Sequence, residues 1–153
     1  MSLSLKKAEK DEVYIIQALL ESQPDFLQLE GRNVPLEENQ LLLEYFSNDT
    51  ESYFVMLDET FIGFCNVKKK HIVEGCASIG MLCLYKDYEG FGFASGALAL
   101  LEDNFSKEDT TKIRISLLEE NVRAVAFFER EKYNKIEKRT WQSKQVIVME
   151  KTL

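Results

Sequence analysis

The chain of 153 residues contains one histidine, His71. That scarcity excludes a zinc site built on several imidazoles and a relay of two histidines. Only two prolines occur, Pro24 and Pro35, both in the first quarter. No proline-, glycine- or serine-rich linker, repeat or low-complexity tract divides the chain, so one domain over residues 1–153 is expected. The three cysteines, Cys65, Cys76 and Cys83, form no C-x-x-C pair. An odd count without that spacing reads as reduced thiols, not as a disulfide scaffold or a metal knuckle. No long apolar run is present: Phe91 to Leu101 spans 11 residues and is broken by Gly and Ser. Such a run is too short to cross a bilayer. Lys6, Lys7, Glu9 and Lys10 interrupt the start of the chain where a secretion signal would be apolar, so a cytoplasmic protein is expected. Positive charge is in deficit as well, with 19 Lys and Arg against 26 Asp and Glu and a net charge of −7. That balance disfavours non-specific binding to nucleic acid or anionic membrane and tolerates a cationic small substrate. No metal is expected.

What is present is patterned. Leu3 to Lys7 alternates and reads as a first strand. Helical spacing follows over about Asp11 to Glu21 and again over Glu37 to Phe46, with a loop expected between them from Ser22 to Leu36 around the two prolines. Tyr53 to Leu57 and Phe61 to Val67 are rich in β-formers, and the intervening Asp58-Glu59-Thr60 makes them a hairpin. Polar Lys68 to Glu74, with Gly75, reads as the next turn, and Ala77 to Tyr85 as the following strand. Ala94, Ala97, Leu98, Leu101 and Phe105 recur at helical spacing. Ile113, Ile115 and Leu117 alternate with polar residues as in a strand. Asn121 can cap a helix carrying Ala124, Phe127 and Phe128 on one face. Lys135 to Arg139 and Val146 to Met149 close the chain as a hairpin around Gln142 to Lys144. The order β-α-α-β-β-β-α-β-α-β-β mixes hairpins with crossover helices, which predicts a mixed α/β (α+β) layer fold.

The most informative segment runs from Ile79 to Gly96, where a strand ends near Tyr85 and Gly90, Gly92 and Ala94 open a helix. Small residues at alternate positions let backbone N–H groups point into one concavity, and the helix N-terminus adds unpaired donors and partial positive charge. Such a turn holds a phosphate or diphosphate without Lys or Arg. A tight βα turn alone also explains the glycines. The P-loop pattern fails for want of a Lys followed by Ser or Thr, and the dinucleotide G-x-G-x-x-G fails because Ser95 takes its third glycine.

Glu89-Gly90-Phe91-Gly92-Phe93-Ala94 resembles motif A of the GNAT superfamily of acyl-CoA-dependent N-acetyltransferases, with Glu89 where the family carries Arg or Gln. Asn121 to Tyr133 resembles motif B of the same family, with Lys132 in place of its glycine. The two motifs, in order and separated by a helix and a strand, carry a resemblance from about Ser52 to the C-terminus. Ser22 to Phe26 is similar to a loop that walls the acceptor site in small bacterial members, although core packing explains Phe26 equally well. The resemblance implies a central mixed, largely antiparallel sheet of six to seven strands with about four helices, splayed between its fourth and fifth strands. It implies acetyl-CoA as cosubstrate and a small amine or peptide amine as acceptor. The backbone of Leu82, Cys83 and Leu84 would meet the pantetheine arm. The turn Glu89, Gly90, Phe91, Gly92, Phe93, Ala94 and Ser95 would hold the diphosphate, with Glu89 turned to solvent because an acid beside it is unfavourable. Asn121, Ala124, Phe127 and Phe128 would flank the arm.

Transfer to an amine needs a proton acceptor for the attacking nitrogen and a donor to the developing oxyanion. The family's frequent general acid, a motif B tyrosine, is Phe128 here. Tyr85 and Tyr133 are the substitute hydroxyls, and Glu74, His71 and Glu119 are conceivable bases. Half-buried tyrosines and a turn histidine among lysines have structural explanations too. Cys83 reads as a small core residue. Three functions remain open: an active acetyltransferase, a catalytically weak acyl-CoA-binding regulatory module of the same fold, or an interaction domain with a structural turn. A homodimer through the C-terminal strands is conceivable.

Overall fold

The structure, a computed structural model, describes residues 2–68 and 75–153. Strand β1 (Leu3–Lys7) leads into helices α1 (Val13–Glu21), α2 (Pro24–Leu29) and α3 (Glu38–Tyr45). Strands β2 (Thr50–Leu57), β3 (Thr60–Lys68) and β4 (Cys76–Leu84) follow, then α4 (Phe93–Lys107), β5 (Lys112–Leu118), α5 (Val122–Arg130), β6 (Asn134–Trp141) and β7 (Lys144–Thr152). Residues 69–74 of the expected second turn, with His71 and Glu74, lie outside the described residues.

The expected loop from Ser22 to Leu36 contains a helix, α2, and this corrects the sequence reading. Pro24 stands in the first turn of α2, where its missing N–H costs nothing and its fixed φ suits a helix. Burial of Leu27 then holds the short helix in place. The final hairpin turns tightly at Gln142 and Ser143, both with positive φ (48° and 66°). That geometry matches the twist of the two strands it joins.

Seven strands form one sheet in the order β1-β2-β3-β4-β5-β7-β6. Every neighbouring pair is antiparallel except β4 and β5, which run parallel. Helices α1 and α3 bury Ile16, Leu19, Leu20 and Leu41 with Phe54 and Phe64. Helices α4 and α5 bury Leu98, Leu101, Phe105 and Phe128 with Ala77, Ile113 and Met149. Phe64 and Cys65, adjacent in β3, belong to these two different clusters. Alternation along the strand therefore serves two helical layers.

The parallel pairing of β4 and β5 stops early. It joins Cys76–Ile79 to Lys112–Ile115 and goes no further. Beyond that point Met81–Leu84 stay with β3, and Ser116–Leu118 stay with β7. The strands part where β4 bulges: Asn66 faces Met81 while Val67 faces Ile79, so Gly80 is the extra residue. Buried Asn66 sets this point. Its Nδ2 donates to Ser52 Oγ at 2.9 Å, and Ser52 Oγ donates to the Tyr45 carbonyl at 2.7 Å. A Cβ at Gly80 would lie 2.7 Å from Asn66 Oδ1. Gly80→Val should therefore displace a buried, hydrogen-bonded amide and cost about 1–3 kcal/mol of stability. A thermal melt checks this; an unchanged midpoint would mean that the bulge is not tightly packed.

Candidate functional site

The gap between β4 and β5 opens into a cleft of about 860 Å³. One bank is Met81–Leu84 with the turn into α4; the other is Ile115–Leu118 with the first turns of α5. Gln23, Phe26 and Glu30 approach from the α1–α2 side, and Arg139, Thr140 and Trp141 from β6.

At one end of the cleft, Gly92 is the N-cap of the 15-residue helix α4 with φ 83°, and Gly90 has φ 85°. A Cβ at either would meet no atom within 4 Å. What these positions require is left-handed backbone, which glycine adopts without strain. The first N–H groups of α4 have no partners within the helix, and its dipole places partial positive charge there. The turn has the properties of an anion cradle, and none of residues 89–95 is Lys or Arg.

Most of the residues expected to hold a cofactor meet on the cleft wall: Leu82, Cys83, Leu84, Glu89, Gly90, Gly92, Phe93, Ala94, Ser95, Asn121, Ala124, Phe127 and Phe128. Phe91 does not; its ring is 69% exposed, and only its backbone belongs to the turn. Asn121 is the N-cap of α5, its Oδ1 accepting from the Ala124 N–H at 3.2 Å. Ser95 Oγ donates to Glu131 Oε1 at 2.6 Å, which ties the start of α4 to the end of α5. Burial pushes the Cys83 thiol up to about 12, so it stays protonated and is no nucleophile at neutral pH. Lys132, in place of the motif's glycine, keeps a positive φ of 74°. The backbone conformation survives there without the residue that adopts it most cheaply.

Glu89 does not turn to solvent, contrary to expectation. Its carboxylate is 19% exposed. Oε1 accepts from Gln23 Nε2, and Oε2 is ion-paired with Arg123 Nη1. Gln23 Nε2 also donates to the Leu84 carbonyl at 2.8 Å. The opposite charge of Arg123 removes the reason for Glu89 to leave.

The two candidate hydroxyls are elsewhere. Tyr133 is buried behind α4, and its hydroxyl donates to Glu102 Oε2 at 2.8 Å. Burial and that carboxylate both push its pKa up, so it is held as a hydrogen-bonded phenol. Tyr85 packs with the α1–α3 cluster and is absent from the cleft wall. Phe128 packs edge-on to Phe127 and Tyr133, with ring centroids 5.0 and 5.2 Å apart.

The sequence reading missed Glu30, Trp141 and Arg123. Glu30 caps the end of α2 and lines the cleft. Its Oε1 is 3.1 Å from Arg32 Nε, close enough for an ion pair but not aligned for a hydrogen bond. Arg32 is shared with Glu44. Burial pushes the Glu30 pKa up; Arg32 opposes the shift, and Glu44 adds to it. Lys144 Nζ donates to the Leu29 carbonyl and so pins the β6–β7 turn to the end of α2. Trp141 stands beside that turn, half exposed. No local pattern marks these residues as members of one cleft, because it is tertiary packing that brings their elements together. Among the described residues no group of three or more His, Cys, Asp or Glu is placed to hold a metal ion. No helix among them is long and apolar enough to cross a membrane.

The model of the acetyltransferase (GNAT) family matches residues 15–132. An acetyltransferase from Thermus thermophilus has a similar structure, with TM-score 0.85 and 14% identity over 100% of this chain and 98% of that one. The spermidine N-acetyltransferase of Vibrio cholerae, solved with CoA and spermine, gives TM-score 0.79 and 15% identity over 98% and 95% of the two chains. The PaiA N-acetyltransferase of Thermoplasma acidophilum, solved with coenzyme A, gives 0.75 and 17% over 100% of both. No curated protein sequence matches the chain. The family match covers the glycine turn, the opened strand pair and the capped helix α5 in one stretch, and the chain belongs to the GNAT acetyltransferase family.

Proposed function

We propose that the protein is an N-acetyltransferase that moves an acetyl group from acetyl-CoA to a primary amine of a small molecule or peptide. The observation that carries this reading is the parting of β4 and β5 in line with the glycine turn. An opened strand edge that runs into an anion cradle suits a ligand with an amide-bearing arm and a diphosphate. CoA-bound relatives of the same fold support the choice of ligand.

In this reading the N–H groups at the start of α4 take the diphosphate. The backbone of Leu82–Leu84 faces the arm, with Ala124 and Phe127 packed opposite. When bound, acetyl-CoA supplies an activated acetyl group as a thioester. The amine enters from the side lined by Phe26, Glu30 and Trp141. Its nitrogen bonds to the acetyl carbon, and the carbon–sulfur bond breaks. Glu30 accepts the proton that the nitrogen loses. Its raised pKa makes it a stronger base than an ordinary carboxylate. The departing sulfur takes its proton from solvent, since Phe128 has none to donate and the Tyr133 hydroxyl is held by Glu102. That shortage of an acid is the one observation favouring a second reading, an acyl-CoA-binding regulatory module.

Calorimetric titration with acetyl-CoA tests the ligand, and thiol release with a panel of amines separates the two readings. Saturable binding near one equivalent is expected; no binding withdraws both, and binding without thiol release favours the module. Gly92→Val should weaken acetyl-CoA binding about tenfold or more, because a β-branched residue resists left-handed backbone. Parent-like affinity would place the diphosphate elsewhere. With an amine that is turned over, Glu30→Gln should lower kcat/KM at neutral pH about a hundredfold. The parent rate should fall on acidification, as Glu30 gains a proton, at a pH above the ordinary carboxylate range. The same acid limb in the variant would remove Glu30 from the reaction.

A further inference from the structure

Glu89 immediately precedes Gly90, the first left-handed residue of the turn. An uncompensated carboxylate there would repel a diphosphate seated on the amides of α4. The carboxylate is nevertheless retained on the cleft wall, and both of its oxygens are engaged. Gln23 Nε2 donates to Oε1 and is itself anchored on the Leu84 carbonyl at 2.8 Å. Arg123 Nη1 meets Oε2. Gln23 brings no charge, so the compensation falls to Arg123. Arg123 is the second residue of α5, on the opposite bank, and its side chain is 76% exposed. An ion pair so exposed contributes little to folding. Its position across the mouth of the cleft is what calls for an explanation.

We infer that Arg123 is a positioning residue for the cosubstrate: it neutralises Glu89 and fixes that carboxylate away from the amides of the turn, so that a diphosphate can bind beside an acid. The positive charge resides in the first turn of α5 and acts through Glu89. This inference rests on the acetyl-CoA reading above and goes beyond it in assigning a residue outside the turn. Two features of the mouth follow. Neutralising the carboxylate removes the need for Arg123. Any cation that reaches Glu89 serves in part, so Arg123→Lys retains most of the affinity.

The test is a double-mutant cycle read by calorimetric titration of the whole chain with CoA, at low and at raised salt. Arg123→Ala should weaken binding about tenfold, with thermal melts unchanged because the side chain is exposed. Glu89→Gln should bind as tightly as the parent or more tightly. In the Glu89→Gln background, Arg123→Ala should cost less than about threefold. Arg123→Lys should stay within about threefold of the parent. Raised salt should shrink the Arg123→Ala effect. The same pattern is expected with 3′-dephospho-CoA, which keeps the diphosphate. Equal losses in the two backgrounds would overturn the inference, since Arg123 would then act without Glu89. A loss that disappears with 3′-dephospho-CoA would assign Arg123 to the 3′-phosphate, and tighter binding by Arg123→Ala would make the pair a bar across the cleft; either overturns it. A parent that binds CoA while all variants match it removes this inference and leaves the acetyltransferase reading standing. A parent that binds no CoA removes both.

Discussion

Everything proposed for this protein depends on one interrupted hydrogen-bond ladder. Strands β4 and β5 pair over four residues each, Cys76–Ile79 with Lys112–Ile115, and then separate. Backbone N–H and C=O groups demand partners, so a sheet does not open without an alternative for them. On the far edge of each strand the alternative is its other neighbour, β3 for β4 and β7 for β5. The edges facing the gap are left to solvent, side chains or ligand. Gln23 already takes one of these groups, the Leu84 carbonyl. The bulge at Gly80 is where the divergence begins, and the buried amide of Asn66 occupies the space a side chain there would need.

The crossover from β4 through α4 to β5 places the start of α4 at the opened end of the sheet. The start of α5 reaches the same end because it follows β5 directly. Two helix N-termini therefore border one gap between parallel strands. Open α/β arrangements bind ligands at the carboxyl ends of their strands for this reason. Lys144 pins the β6–β7 turn to the Leu29 carbonyl, and α2 borders the cleft from its Gln23 N-cap, bonded to Glu89, to Glu30. The cleft is thus lined by an electropositive backbone turn and by a half-buried carboxylate, Glu30.

Three residues depart from the family's motifs, and the structure treats each differently. Lys132 keeps the glycine's left-handed backbone and bears its strain. Glu89 puts a negative charge where the motif carries Arg or Gln, and Arg123 pairs with it from another element. Phe128 lacks the motif's hydroxyl, and the phenol of its neighbour Tyr133 is turned to Glu102. A motif position is thus judged by what surrounds it as much as by the residue that fills it.

Local pattern was enough for every element but α2, and for the turn. Period-two and helical spacings located the seven strands, α1 and α3 to α5, and the Gly90-Phe91-Gly92 stretch could be recognised because positive φ and small size are properties of the residues themselves. Helix α2 was hidden because Pro24 signals a break and a first helical turn alike, and only the burial of Leu27 decides between them. The orientation of Glu89, the exclusion of Tyr85 and Tyr133 from the cleft, and the presence of Glu30 and Trp141 in it were tertiary outcomes. Each rests on a meeting of residues far apart in the chain: Glu89 with Gln23 and Arg123, Tyr133 with Glu102, Lys144 with Leu29. The sequence by itself determined the strands, the helices other than α2 and the left-handed glycine turn before α4, because those follow from backbone preference and periodicity. Which charges face one another across the cleft was decided by the tertiary structure alone, because electrostatic pairing depends on distance in space and not along the chain.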